Sequence, residues 1–366
     1  MEGMAFDTII AGGGIIGCSI AWRLAQRGLR VLLLEAARLG AEASSAGAGM
    51  LAPGGEIEER SPWNDLALES LKLYPGFVAE LSEETGCPID FQRLGAVDVA
   101  LSRKEWGELE ARGQRQAALG IPSCQLTSRD LAQHAPLARQ DVAGALFYPQ
   151  DALVDPRDIM AALRSACEAR SVEIREGARV TAMRARGGSV IVETSSGPFE
   201  APAAVLAAGA WSSEIPVEGH LLPRAFPIRG HLAGYQLEPH SLGPLLRWGR
   251  SYLLQRSSGF TIAGTSSEQV GFDRTVKPAA IAEIHKRAAE VLPVLAACQP
   301  VETWVGFRPA VEGDRPAIGP VADTGVWLAY GHYRNGILMA PGTAQRVAQG
   351  IIASSEKGLS APCGRP

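Results

Sequence analysis

Several things are scarce in these 366 residues, and each absence removes a class of function. The six cysteines, Cys18, Cys87, Cys124, Cys167, Cys298 and Cys363, form no CxxC pair and stand at no metal-ligand spacing from a histidine. A zinc site and a disulfide framework are therefore not expected; reduced thiols in a cytoplasmic protein are. The longest early apolar runs, such as Val31 to Leu34, are far too short to span a bilayer. The first strand begins near Asp7, which leaves no room for a signal peptide, so a cytoplasmic location is expected. Neither charge sign dominates: the formal net charge is -4, with no electrostatic case for nucleic acid or an anionic membrane. There is no repeat, low-complexity tract or linker.

What remains is an ordinary globular composition, 46% hydrophobic and 20% charged, on a chain long enough for two domains. Glycine is enriched at turns between apolar runs, as α/β folds require. Asp7 to Ala11 reads as a buried strand, Ile15 to Gln26 as a helix stopped by Gly28, and Arg30 to Leu34 as a second strand ending at Glu35. Helices are predicted for Leu66 to Thr85, Lys104 to Leu119, Ser128 to Gln133 and Ala279 to Leu292. Another is expected from Asp155, as N-cap ahead of Pro156, to about Arg170. Ile89 to Leu101 and Ala143 to Tyr148 read as strands, as do Val172 to Arg175, Val180 to Arg184, Ser189 to Thr194 and Ala204 to Ala208. Pro223 to Gln236 and Ser251 to Thr265, the latter turning at Ser257-Ser258-Gly259, suggest a second, antiparallel sheet. Thr303 to Arg308, Val326 to Tyr330 and a helix from about Gly342 to Ile352 then return to the first type of structure. The two domains interleave.

Gly12-x-Gly14-x-x-Gly17, with Ile15 and Ile16 opening the helix, lies between the first strand and that helix. The first glycine permits a tight turn, the second lets a pyrophosphate approach the backbone, and the third lets helix pack on strand. The helix start presents free N–H groups and a positive dipole end to the phosphates. Glu35, followed by Ala36, is placed to accept from an unphosphorylated ribose, so FAD or NAD is expected rather than NADP. A lone GxGxxG is weak, but strand, helix and acid appear here in order. Ala41 to Gly55 is a run of small residues that lets backbone approach a ligand closely. The small-residue strand end at Ala208, Gly209 and Trp211 suits a larger cofactor, or is an ordinary buried strand end.

Four segments carry a resemblance: the N-terminal fingerprint, Ser44-Ser45-Ala46-Gly47-Ala48-Gly49-Met50-Leu51, Gly306-Phe307-Arg308-Pro309, and Gly331-His332-Tyr333-Arg334-Asn335-Gly336-Ile337-Leu338. Their order and spacing run over nearly the whole chain. With them the sequence resembles the glycine oxidases and D-amino acid oxidases among the FAD-dependent amine oxidoreductases, above all the glycine oxidases of bacterial thiamin biosynthesis. The resemblance implies a Rossmann-type FAD domain (1–85, 144–215 and 301–366) interleaved with an antiparallel-sheet substrate domain (86–143 and 216–300), a mixed α/β fold. It places Ser44, Ser45, Gly47, Ala48, Gly49 and Met50 beside the isoalloxazine and ribityl chain, Val180 at the adenine, and Ala208, Gly209 and Trp211 along the cofactor's middle. Gly306 and Arg308, with His332, Arg334, Asn335, Gly336, Ile337 and Leu338, would surround the flavin ring. Arg308 would bind the substrate carboxylate, helped by the Tyr252 hydroxyl, with Arg334 as flavin neighbour or second substrate contact.

The chemistry of these residue types agrees. A carboxylate buried above a flavin needs a planar, charge-assisted partner, which arginine provides. The bland alternatives are a structural ion pair for Arg308 and a core tyrosine for Tyr252. Some relatives tether flavin through a cysteine in the segment that here reads Gly306-Phe307-Arg308, so the FAD is expected to be noncovalent. Arg250 stands two positions before Tyr252 where a relative has histidine, and small polar residues near Ser266 replace a methionine. With Met50 these would shape the pocket and set substrate size and charge. The expected activity is oxidation of glycine, sarcosine or a small D-amino acid, with dioxygen as acceptor and homotetramer assembly by resemblance. The alternatives are a dehydrogenase passing electrons to a quinone or partner subunit, a flavin monooxygenase or NAD dehydrogenase, and a cofactor-less scaffold.

Overall fold

The computed structural model describes residues 6–360; the extreme ends of the expected FAD domain, Cys363 included, lie outside the described residues. The first sheet has six strands in the order Ala317–Pro320, Val326–Tyr330, Ala203–Leu206, Thr8–Ala11, Val31–Glu35, Glu173–Glu176. All neighbours are parallel except the edge strand Ala317–Pro320. Its central strands Ala203–Leu206, Thr8–Ala11 and Val31–Glu35 are apolar but for Thr8 and Glu35 and buried at every position but Glu35, as a sheet covered on both faces demands. One face is covered by Ile15–Ala25 and Pro156–Ala169, with Pro62–Thr85 and Gly336–Ser360 packed beside them. The other carries a three-stranded antiparallel sheet, Val180–Arg186, Ser189–Thr194 and Phe199–Ala201.

The second large sheet has eight strands, ordered Glu302–Val311, Ala225–Gln236, Phe260–Gly264, Ser251–Gln255, Leu245–Trp248, Ala96–Ala100, Gly144–Tyr148, Cys124–Gln125. It is antiparallel apart from the Leu245–Trp248 and Ala96–Ala100 pair. The hairpin at Ser257-Ser258-Gly259 forms as expected, with Gly259 at φ +86°.

Three expectations are corrected. Thr303 to Arg308 does not return to the parallel sheet: Glu302–Val311 pairs along its whole length with Ala225–Gln236, and Gly144–Tyr148 also joins the eight-stranded sheet. Short apolar runs give no sign of their partner, which is a long-range choice. Ile89 to Leu101 is not one strand. Phe91–Gln92 joins a small sheet with Ala152–Val154, Gly95 turns the chain at φ +78°, and Ala96–Ala100 enters the large sheet.

The C-terminal helix starts at Gly336, not Gly342, and runs through Pro341. Proline cannot donate to the carbonyl four residues earlier, and that carbonyl, of Ile337, accepts instead from the Tyr74 hydroxyl at 2.8 Å. The Gly342 N–H is likewise taken by Ser70 Oγ at 3.0 Å. The neighbouring helix Pro62–Thr85 thus satisfies the bonds that Pro341 interrupts.

Candidate active site

The carboxyl ends of the parallel strands face one side of the eight-stranded sheet across a cavity of about 480 Å³. This is where open α/β sheets place ligands. The three fingerprint glycines differ in what confines them. Gly12 has φ +113°, and a Cβ there would lie 2.3 Å from the Ala207 carbonyl. A Cβ on Gly17 would lie 1.9 Å from the Gly12 carbonyl, so Gly17 sets the helix-to-strand distance and does not line the cavity. Gly14 does line it, at an ordinary φ of -77°, and its Cβ would meet only Ser44 Oγ, at 3.1 Å.

The helix Ile15–Ala25 has no side-chain cap from its own N-cap residue, Gly14, and no acid in its first turn. Ser44 Oγ accepts the Ile15 N–H at 2.9 Å, which ties the small-residue segment to the fingerprint. Glu35 accepts from the Gly13 and Ala37 N–H groups, both at 2.8 Å. Its carboxylate is fixed at the strand end with lone pairs left for a diol. Arg256, 4% exposed, donates to the carbonyls of Val154 and Ala48 and holds Ala48-Gly49 in place.

Along the cavity wall stand Ile15, Ile16, Ala36, Ser44, Gly47, Ala48, Gly49 and Met50 on one side, and Val180, Ala208, Gly209 and Trp211 on another. Gly306, Arg308, Tyr252, His332, Arg334, Gly336 and Ile337 close the far end. A long slot that joins a helix start with no acid in its first turn, a fixed carboxylate and glycine-lined walls suits a dinucleotide; these residues fit FAD.

At the far end, Arg308 on Glu302–Val311 and Tyr252 on Ser251–Gln255 rise from strands of the large sheet separated by two others, Ala225–Gln236 and Phe260–Gly264. Two glycines vacate space for them. A Cβ on Gly230 would lie 2.4 Å from the Arg308 guanidinium, and one on Gly264 would lie 2.3 Å from Tyr252 Cζ. Arg308 Nη1 donates to the Ser266 carbonyl at 3.1 Å and Nη2 to Thr265 Oγ1 at 2.6 Å. No carboxylate among the described residues pairs with it, so the structural ion-pair reading does not hold. Burial lowers the affinity of Arg308 for its proton, against the pull of Tyr252. Burial also raises the Tyr252 hydroxyl pKa, so that group stays a donor.

Some expected residues lie elsewhere. Ser266 is not on the cavity: its hydroxyl accepts the His231 N–H at 3.0 Å, and only its carbonyl reaches Arg308. Thr265 lines the cavity in its place; a one-residue step along the chain reverses the face, a choice the sequence does not announce. Arg250 and Asn335 line a smaller neighbouring cavity, while Ser45 and Leu338 line neither, Leu338 being buried in the core. The sequence reading missed Glu56, which pairs with Arg334 at 3.0 Å and accepts from Asn335 at 3.2 Å. It also missed Arg274, which pairs with Glu42 at the cavity edge. Neither stands in a motif that could have marked it.

His332 is 4% exposed, bonded through Nε2 to Thr343 Oγ1 at 3.1 Å, and burial pushes its pKa down to about 4. It is neutral in the working range and is no base. The ordinary histidine value is 6.5. Between that pH and about 4 the unfolded chain binds a proton that the folded one refuses, so the stability His332 contributes is present above the upper value and lost as pH falls toward the lower one. The total is about 3 kcal/mol. His332→Gln should flatten the fall in urea midpoint between about pH 7 and pH 4.5. An unchanged slope would mean His332 is not the group responsible.

Among the described residues, no three His, Cys, Asp or Glu side chains gather as a metal site, and no helix is long and apolar enough to cross a membrane. Cys18, Cys87, Cys124, Cys167 and Cys298 are free thiols.

This fold and slot are those of a flavin-dependent oxidoreductase. Residues 7–350 match the family model DAO, FAD dependent oxidoreductase, and the chain belongs to that family, with FAD as its cofactor. It is 32% identical over 346 residues to a glycine oxidase of Geobacillus kaustophilus, covering 94% of this chain and 92% of that protein. It is 33% identical to a bifunctional ThiO/ThiG protein of Synechocystis, covering 94% of this chain and 51% of that one. The crystal structure of glycine oxidase from Geobacillus kaustophilus superposes with a TM-score of 0.90 at 31% identity, covering 95% of each chain.

Proposed function

We propose that this chain oxidises a small amino acid, glycine or sarcosine first among them and small D-amino acids next, to the imine, with dioxygen reduced to hydrogen peroxide. The observation that carries the reading is the Arg308 guanidinium, held by Thr265 and Ser266 at the far end of the FAD slot, with no ion-pair carboxylate among the described residues. Such a cation awaits a carboxylate ligand.

In this reading FAD, when bound, supplies the two-electron acceptor. Arg308 binds the substrate carboxylate, and the buried Tyr252 hydroxyl adds a donor beside it. Together they fix the Cα–H direction, so orientation is the protein's chief contribution. No side chain is needed to take the Cα proton, because the hydrogen leaves as hydride from a neutral amine. Neutral His332 keeps a further charge out of the site. The helix Gly336–Ser360 begins beside the cavity, and its positive end would stabilise negative charge gathering at the cofactor's nearest edge. The proposal extends to noncovalent FAD, a cytoplasmic homotetramer, and supply of the glycine-derived imine to thiamin synthesis.

The test is peroxide release in air by the FAD-loaded protein with glycine, sarcosine, N-ethylglycine, D-alanine and D-proline. Peroxide strongest with glycine or sarcosine supports the reading. Flavin bleached without air, yet little peroxide in air, makes the chain a dehydrogenase and overturns the choice of acceptor.

A further inference from the structure

Beside the main cavity lies a smaller one of about 50 Å³, which shares Met50, Tyr252 and Arg334 with it. Four arginines line this space, Arg112, Arg247, Arg250 and Arg334. Three are answered by carboxylates. Asp98 accepts from both Arg112 and Arg247, Asp151 accepts from Arg247 at 2.7 Å, and Glu56 pairs with Arg334 at 3.0 Å. The fourth, Arg250, has no ion pair or hydrogen bond with any described residue, and it is exposed. Two further nitrogens in the cluster, Arg247 Nη2 and Arg112 Nε, are buried without a partner among the described residues. Buried donors left unpaired are costly, and a cluster with one cation more than its carboxylates attracts an anion.

The oxidation of glycine proposed above makes no use of Arg112, Arg247 or Arg250, none of which lines the main cavity. The main cavity already has Arg308 for the carboxylate next to the reacting carbon. A substrate whose far end carried a second carboxylate would reach past Tyr252 and Met50 into the arginine-lined space. The space is large enough for one small polar group. The planar guanidinium of Arg250 suits a carboxylate in two-point contact.

We propose that the arginine-lined cavity beside Tyr252 is a subsite for a second substrate carboxylate, with Arg250 as its recognition residue, so that the enzyme accepts amino dicarboxylates. The inference rests on the reading of Arg308 as the anchor of the first carboxylate. The second carboxylate has two chemical sources, the side chain of an acidic D-amino acid or an N-carboxymethyl substituent on glycine. Both present the same group to the same arginines.

Binding separates the subsite from turnover. The FAD-loaded protein is titrated with acetate, malonate, succinate and glutarate, none of which is an amine, and flavin absorbance reports the Kd. The wild type should bind at least one dicarboxylate about tenfold tighter than acetate, as expected for one added charge-assisted contact. Arg250→Met should remove most of that preference and Arg250→Lys should keep part of it. Because Arg250 is exposed, neither variant threatens the fold. Turnover then names the source: kcat/KM for D-aspartate, D-glutamate and N-(carboxymethyl)glycine is compared with that for glycine in wild type and Arg250→Met. A fall of about tenfold in the ratio, for one of these substrates, supports the subsite and identifies which carboxylate it reads. Acetate bound and glycine oxidised, but with no dicarboxylate preference or one untouched by Arg250→Met, overturns the subsite alone. No response to any carboxylate and no oxidation of any amino acid overturns the reading of Arg308 as well.

Discussion

Arg308→Ala raises KM for glycine or sarcosine by roughly 10²–10³-fold while FAD stays bound, because the charge that holds the substrate carboxylate is gone. The guanidinium is largely buried and its two bonds go to a threonine hydroxyl and a backbone carbonyl, neither of which neutralises it. Burial already disfavours its charge. Removing it therefore costs the substrate-free fold little, and thermal stability without substrate should be close to that of the wild type. Arg308→Lys keeps a charge but not the planar fork, and should fall between. Steady-state kinetics and flavin absorbance on the same preparations decide the matter. Unchanged KM in the alanine variant would remove Arg308 from the site. Lost flavin would make it a cofactor residue instead.

Gly14→Val yields a folded protein that is purified with much less FAD than the wild type. The reason is specific to this glycine. Its backbone is in a region open to any residue, and the added side chain would meet Ser44 Oγ and the cavity, not the main chain. Valine would fill the place where the pyrophosphate meets the helix start, and overpacking there should weaken FAD binding by about 10–10²-fold. Gly17→Ala behaves differently, since its methyl collides with the Gly12 carbonyl, and it should destabilise the whole unit. Circular dichroism and the flavin-to-protein absorbance ratio separate the two outcomes. A fully yellow Gly14→Val protein would sink the phosphate assignment.

Both predictions concern residues that stood in sequence motifs, and this marks how far the sequence reaches in an FAD-dependent amino acid oxidase. The fingerprint was legible because its three glycines, its strand, its helix and Glu35 are all local, and local geometry is dictated by neighbours in the chain. The same holds for Asp155 as N-cap of Pro156–Ala169, where its carboxylate accepts the Arg157 N–H at 2.8 Å. Helix limits were read within a few residues wherever a cap or glycine marked them. At the last helix the apolar pattern put the start near Gly342, past the observed start at Gly336. The bond that Pro341 cannot make is replaced by Tyr74, which is 263 residues away from Ile337.

The sequence by itself determined a dinucleotide fingerprint, two kinds of sheet, a lone arginine suited to a carboxylate, and the family resemblance that joined them. Only the tertiary structure decided that Glu302–Val311 belongs to the eight-stranded sheet, that Thr265 and not Ser266 faces the cavity, and that Glu56 answers Arg334 while Arg250 is left unanswered. The physical reason is common to all three. Strand partnership, the face a residue turns and the pairing of charges are settled by groups far apart in the chain, whose meeting depends on the whole packed core. A local pattern of residue types fixes only what its immediate neighbours can enforce.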